Sequence, residues 1–204
     1  MTQNFDDKVL IVTGGNQGIG RAASIAASRL GASVVVASRT EKTGIETVQI
    51  IEKSKGKAIY VKTDVSDEAS VVNLIEKTLE SFGSLDMAFN NAGGGATSAN
   101  PVSTLEQSVE DWDTTINNNL KGTWLCMKHE IPPMLQSGKG SIVNMSSIAG
   151  VRPGPVAGPS YTAAKSGIAG LTGMAGLEFA GRGIRINAVA PTVCLLYTSD
   201  AADE

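Results

Sequence analysis

Val9-Leu-Ile-Val-Thr-Gly-Gly-Asn-Gln-Gly-Ile-Gly20 carries an apolar run directly into a glycine-rich turn and then into a helical pattern. An apolar run of this length, bounded by glycines, reads as a strand buried on both faces, the kind found in parallel sheets. From Ile19 to Leu30 the apolar residues recur at helical spacing, and Gly31 stops the pattern as a C-cap. The glycines let a backbone approach a ligand closely. The helix that follows offers free N–H groups and a partial positive charge, which suits the phosphates of a dinucleotide. The spacing is Gly14-x-x-x-Gly18-x-Gly20, which differs from Gly-x-Gly-x-x-Gly. No Gly-Lys-Ser/Thr follows, so the turn is not a P-loop.

Outward from this unit, strands and helices alternate. Ser33 to Ser38, Ala58 to Lys62, Leu85 to Asn90, Ser141 to Met145 and Ile184 to Val189 read as further strands. Thr43 to Ser54, Ser70 to Phe82 and Ser160 to Ala180 read as helices. Trp112 to Gln136 reads as one long helix that Pro132-Pro133 bends or interrupts late. Repeated βα units with short links specify an α/β fold: a Rossmann-like, doubly wound parallel sheet with right-handed crossovers. Ligands of such sheets sit beyond the carboxyl ends of the strands, where the strand order switches direction. No composition shift divides the chain, so residues 1–193 are expected to form one domain.

The 204 residues include 42% hydrophobic ones, enough for a large core. No apolar stretch reaches 18 residues, which argues against a membrane helix. Met1 to Lys8 is polar and acidic, unlike a signal peptide, so a cytoplasmic location is expected. Cys126 and Cys194 lack metal spacing, and His129 is the single histidine, expected on a helix surface. No metal is expected. Neither a basic patch nor an aromatic series points to nucleic acid.

Cys194-Leu-Leu-Tyr-Thr-Ser-Asp-Ala-Ala-Asp-Glu204 resembles the translation of a transposase adapter used in preparing sequencing libraries. On that reading it is a non-native tail, and the domain is truncated after the sixth strand. Asp200, Asp203 and Glu204 then account for the whole formal charge of −3, leaving 17 acidic against 17 basic residues. The acidity of the chain therefore says nothing about partners.

Tyr161 and Lys165 stand four residues apart, one above the other on a helix face. An ammonium there favours ionisation of a phenol, whose ordinary pKa is about 10. Ser146-Ser147 follows the fifth strand. A dinucleotide turn and a proton-transferring pair together suggest hydride transfer to or from a carbonyl. Thr13 to Gly20, Asn90-Asn-Ala-Gly93, Asn119 in Asn-Asn-Leu, Ser147, and Tyr161 with Lys165 occur in one order. Across nearly all of Met1 to Ala190 the chain resembles the short-chain dehydrogenase/reductase family.

The resemblance implies roles for these residues. Tyr161 is the general acid or base, and Lys165 assists the phenol and binds the nicotinamide ribose. Ser147, in preference to Ser146, polarises the substrate carbonyl, and Asn119 holds a water that relays protons. Thr13, Gly14, Asn16, Gln17, Gly18, Ile19 and Gly20 form the cofactor loop. Asp64 and Val65 lie by the adenine, and Asn91, Ala92, Gly93 and Pro191 complete the cofactor site. After the second strand the chain has Ser38-Arg39 where an NAD-binding relative has a carboxylate. A guanidinium can grip a 2′-phosphate, so NADP(H) is favoured. Gln17, where NADP-preferring relatives often carry a base, keeps NAD(H) open. Ala190-Pro191-Thr192 replaces the usual Ala-Pro-Gly. Candidate substrates are small carbonyl or alcohol compounds such as 3-oxoacyl thioesters and sugars, with residues 94–108 and 151–159 at the rim. A homodimer or homotetramer is expected through the helix that bears Tyr161. The alternative is a non-catalytic dinucleotide sensor or scaffold, or an inactive truncated product.

Overall fold

In the computed structural model, residues 4–94, 102–154 and 157–192 are described. The first strand, β1 (Val9–Thr13), is buried along its whole length, as its unbroken apolar run requires. Its side chains alternate between two cores. Val9 and Ile11 join one cluster, Leu10 and Val12 the other. Five more strands pair in parallel with it or its neighbours: β2 (Ser33–Ser38), β3 (Lys57–Lys62), β4 (Met87–Asn90), β5 (Gly140–Met145) and β6 (Ile184–Val189). Their spatial order is β3-β2-β1-β4-β5-β6, a doubly wound sheet. The order reverses between β1 and β4, so Thr13 and Asn90, partners in register, mark the crevice.

Helices α1 (Gly18–Arg29) and α2 (Glu41–Lys53) bring Ala27 and Ile51 to one face of the sheet. Helix α3 (Glu68–Phe82) supplies Leu74 and Ile75 to the opposite face. Asp67 caps α3 by accepting from the Ala69 amide, and Gly83 ends it in the left-handed conformation. The expected long helix is three segments: α4 (Val109–Ile116), a π-helical turn (Asn117–Lys121) and α5 (Gly122–Ser137). The start moves upstream because Ser108 caps it, its hydroxyl accepting from the Asp111 amide. The prolines do not end α5, which runs on to Ser137 and stops at left-handed Gly138. Buried Ile131 and Met134 flank the pair and dock this last turn on the sheet. A short α6 (Ile148–Val151) and then α7 (Pro159–Phe179) complete the second layer. The two expected helices before them begin two residues earlier than their periodicity suggests, at Glu41 and Glu68. Residues 193–204, and with them the reading of Cys194 to Glu204, lie outside the described residues.

Candidate active site

The glycine turn is braced from β4. The Thr13 hydroxyl accepts from the Asn91 and Ala92 amides, both at 3.0 Å, and the Asn91 side-chain amide donates to the Thr13 carbonyl at 3.1 Å. Gly14 adopts φ +64°, and a Cβ there would stand 2.9 Å from Asn91 Nδ2. A Cβ on Gly20 would run into the Gly14 carbonyl. Two glycines are therefore needed for loop, helix and strand tip to come together. Gln17 caps α1 in extended conformation without a side-chain bond, and the first turn of α1 holds no carboxylate. Its N–H groups are left for an anion, which fits a dinucleotide phosphate. Gly18 and Ile19 open this helix. The Asn16 side chain donates to Thr43 Oγ1 at 2.8 Å, and its carbonyl accepts from Arg21 Nε, so it fastens the loop to α2.

At the tip of β2 the Ser38 hydroxyl donates to the Thr40 carbonyl, and Arg39 is exposed. Asp64, just past β3, accepts from both the amide and the hydroxyl of Ser66. Burial pushes the Asp64 carboxyl up, but these bonds and the nearby Arg39 guanidinium outweigh it and hold the group below its usual range. Arg39 and Asp64 thus share one corner of the crevice. Val65 packs with Val71, Leu125 and Cys126.

The second group of residues meets beyond β4 and β5. Lys165 on α7 is 2% exposed, and its ammonium donates to the Met145 carbonyl at 2.9 Å. Burial lowers its pKa to about 8. The same ammonium lies 5.5 Å from the centre of the half-buried Tyr161 ring. Ser147, half-buried, caps α6 by accepting from the Ala149 amide. Ser146 is buried, and its hydroxyl donates to the Lys165 carbonyl, fixing α7 to the end of β5. Asn119 occupies the π-helical turn, where the extra residue per turn lets its side chain reach the Thr115 and Gly94 carbonyls. Among the described residues its buried Oδ1 has no hydrogen-bond partner. Gly93, at φ +141°, adjoins both centres: a Cβ there would collide with Asn119 Oδ1 and sit 3.6 Å from Lys165 Nζ. Past β6, the Pro191 carbonyl accepts from the Ile148 amide, holding that segment beside Ser147.

Of the residues that the sequence reading singled out, Thr13, Gly14, Gly20, Asn91 and Ala92 meet in the braced turn, and Gly93, Asn119, Tyr161 and Lys165 meet beside it. That reading missed the π-helical turn, the Thr13 bracket and a buried polar cluster behind the crevice. In that cluster Glu130 on α5 accepts from Asn90 Nδ2 at 2.9 Å, Asn90 also donates to Asn144, and Asn144 donates to Thr172 on α7. A signal existed. Glu130 falls on the apolar stripe of Cys126, Met127, Ile131 and Met134, where a carboxylate must be buried. The sole histidine, His129, is half-buried and pairs with Glu68 at 2.9 Å. Cys126 is buried, and no cluster of metal-binding side chains occurs among the described residues.

The family profile described as short chain dehydrogenase matches residues 8–202. A 3beta-hydroxysteroid dehydrogenase of Mediterraneibacter gnavus is 41% identical over 187 residues, covering 92% of this chain and 66% of that protein. A cis-4-hydroxycyclohexanecarboxylate dehydrogenase of Sinomonas cyclohexanicum is 40% identical over 192 residues, covering 94% and 75% respectively. Among solved structures, a levodione reductase superposes with a TM-score of 0.87 at 32% identity, covering 93% of this chain and 72% of its own. The chain therefore spans about two thirds to three quarters of the length of these relatives. Two cradles meeting at Gly93 and a family match along nearly the whole chain lead to one conclusion: the chain belongs to the short-chain dehydrogenase/reductase family of NAD(P)-dependent oxidoreductases.

Proposed function

We propose that this protein transfers a hydride between NADP(H) and a cyclic secondary alcohol or ketone, with Asn119, Ser147, Tyr161 and Lys165 as its catalytic residues. The observation that carries this reading is the meeting of Lys165 and Tyr161 at the end of β5, two residues before Ser147, with Gly93 and Asn119 beside them. When bound, the nicotinamide supplies or accepts the hydride. The chain's own residues manage the proton. In reduction the Tyr161 hydroxyl donates its proton to the substrate oxygen, and in oxidation the phenolate takes it back. Lys165 stabilises that phenolate with a charge that little water screens. Ser147 donates a hydrogen bond to the carbonyl and polarises it. Asn119 holds the end of a path along which Lys165 exchanges protons with solvent.

Arg39 and the absence of a carboxylate at position 38 support NADP(H) over NAD(H). The cyclic alcohols and ketones in the names of the relatives support the substrate class. The same reading puts the protein in the cytoplasm as a homodimer or homotetramer, and exposed Met174 and Leu177 on α7 support burial of that helix between copies. The test is reduction of cyclohexanone and of a 3-oxosteroid with NADPH, followed by nicotinamide absorbance. Tyr161→Phe should lower turnover by about 10²–10⁴-fold while dinucleotide affinity stays unchanged. A chain that binds NADPH yet turns over no ketone would instead be the sensor or scaffold.

A further inference from the structure

Behind the crevice lies a carboxyl group that the proton-transfer reading does not use. Glu130 is fully buried, and the side chains linked to it in turn, Asn90, Asn144 and Thr172, are buried as well. Asn90 is at the tip of β4, Asn144 on β5, Glu130 on α5 and Thr172 on α7. These four elements carry or adjoin Gly93, Ser147, Asn119 and Lys165. The cluster is therefore the place where the supports of the crevice are tied together.

Its hydrogen bonds are one proton short. Asn90 Nδ2 donates twice, to Glu130 Oε2 at 2.9 Å and to Asn144 Oδ1 at 3.1 Å. Among the described residues, Asn90 Oδ1 and Glu130 Oε1 are buried with no partner. Both are acceptors if the carboxyl is ionised, and each such oxygen left alone in the interior is costly. A carboxylic acid and a primary amide have complementary edges: amide N–H to acid carbonyl, and acid O–H to amide carbonyl. The first of those bonds is present. A proton on Oε1 supplies the second donor and satisfies both remaining oxygens.

We propose that Glu130 is a positioning residue held as the neutral carboxylic acid, closing a two-bond pair with the Asn90 side chain that fixes the tip of β4. No group changes oxidation state; above the ordinary glutamate range the proton is taken up from solvent as the chain folds. Burial supports this by raising the carboxyl to about 7, against the smaller downward pull of the Asn90 bond. The facing groups on β4, β5 and α7 are the uncharged Asn90, Asn144 and Thr172. On α5, Met127 is uncharged, and Cys126 is the titratable neighbour. Burial pushes the Cys126 thiol well above its ordinary value, so it stays neutral over the same range.

The sign of the pH effect follows. The folded-state pKa lies above the unfolded one, so the contribution is complete below the ordinary glutamate range and is lost as pH rises to about 7. The test uses the full chain. Difference infrared spectra of wild type should contain a protonated-carboxyl band at pH 6 that fades above pH 7 and is absent in Glu130→Gln. Gln offers the same acceptor and donor edges, so E130Q should fold and keep NADPH affinity within about twofold of wild type. Between about pH 5 and 7 the Tm of wild type should fall relative to that of E130Q. Glu130→Ala should weaken NADPH binding by about tenfold or more, through misplacement of the β4 tip. No carboxyl band at pH 6, a pH trend in Tm shared by wild type and E130Q, or failure of E130Q to fold would each overturn the proposal. The effect on NADPH affinity rests on the proposed dinucleotide-dependent function, whereas the infrared and Tm readouts do not, so the two can fail separately.

Discussion

Replacing Thr13 by Val exchanges a hydroxyl for a methyl of almost the same size, so the change opens no cavity at a buried site. It removes the oxygen that accepts from both the Asn91 and Ala92 amides. The two donors suffer unequally. Asn91 N–H also reaches the Phe89 carbonyl at 3.0 Å and keeps that bond. Ala92 N–H has no second acceptor among the described backbone bonds. A buried donor left without a partner costs about 1–3 kcal/mol. With a smaller loss at Asn91, Thr13→Val should destabilise the protein by about 2–4 kcal/mol. At about 2–4 °C per kcal/mol for a domain of this size, the Tm falls by roughly 4–16 °C. Thr13→Ser is the control: it keeps the oxygen and drops one methyl, a loss of about 0.8 kcal/mol. Urea titration and thermal melting of the three proteins, with NADPH titration alongside, make the comparison. A Thr13→Val protein as stable as wild type would refute the bracket. So would a Thr13→Ser protein as damaged as Thr13→Val.

Two further substitutions probe the neighbouring contacts. Gly93→Ala places a Cβ against Asn119 Oδ1 at a φ of +141°, so strain of about 1–3 kcal/mol is expected, with NADPH affinity reduced in fluorescence titrations. Unaltered affinity would mean that Gly93 does not set the spacing of Asn119 and Lys165. Arg39→Ala should weaken NADPH binding by about tenfold and leave NADH binding within about twofold, as expected for the loss of a phosphate-binding guanidinium. Equal losses for both dinucleotides would remove Arg39 from cofactor choice.

The parts of the fold that could be read in the sequence are those with local causes. The run Val9 to Thr13 announces a doubly buried strand because each of its residues is apolar or β-branched, and it is buried throughout. Gly31 and Gly138 mark helix ends because positive φ there favours glycine. Tyr161 and Lys165 could be paired from spacing alone, since α7 is continuous between them. The π-helical turn was hidden. Asn117-Asn-Asn-Leu-Lys121 has no local preference that distinguishes it from an α-helix, and the turn is held by long-range contacts such as Asn119 to the Gly94 carbonyl. The bond from the Asn16 amide to Thr43, 27 residues away, was hidden for the opposite reason: Asn16 sits in a motif whose reading is local. Glu130 ends the charged run Lys128-His129-Glu130, and only its place on the apolar stripe of Cys126, Met127, Ile131 and Met134 marks it as buried, while its partner Asn90 comes from another element.

Asn90-Asn-Ala-Gly93 unites these observations, because successive residues of one short segment serve different partners. Asn90 points back to Glu130 and Asn144, Asn91 points across to Thr13 and Gly14, and Gly93 adjoins Asn119 and Lys165. A strand tip can do this because neighbouring side chains leave on opposite sides. The dinucleotide cradle and the proton-transfer group are then positioned by the same few backbone atoms. A shift of the β4 tip cannot disturb one without the other. Changes at Thr13, Glu130 and Gly93, far apart in sequence, should therefore be non-additive when combined. Substitutions at Arg39, which is outside this segment, should add independently to each of them.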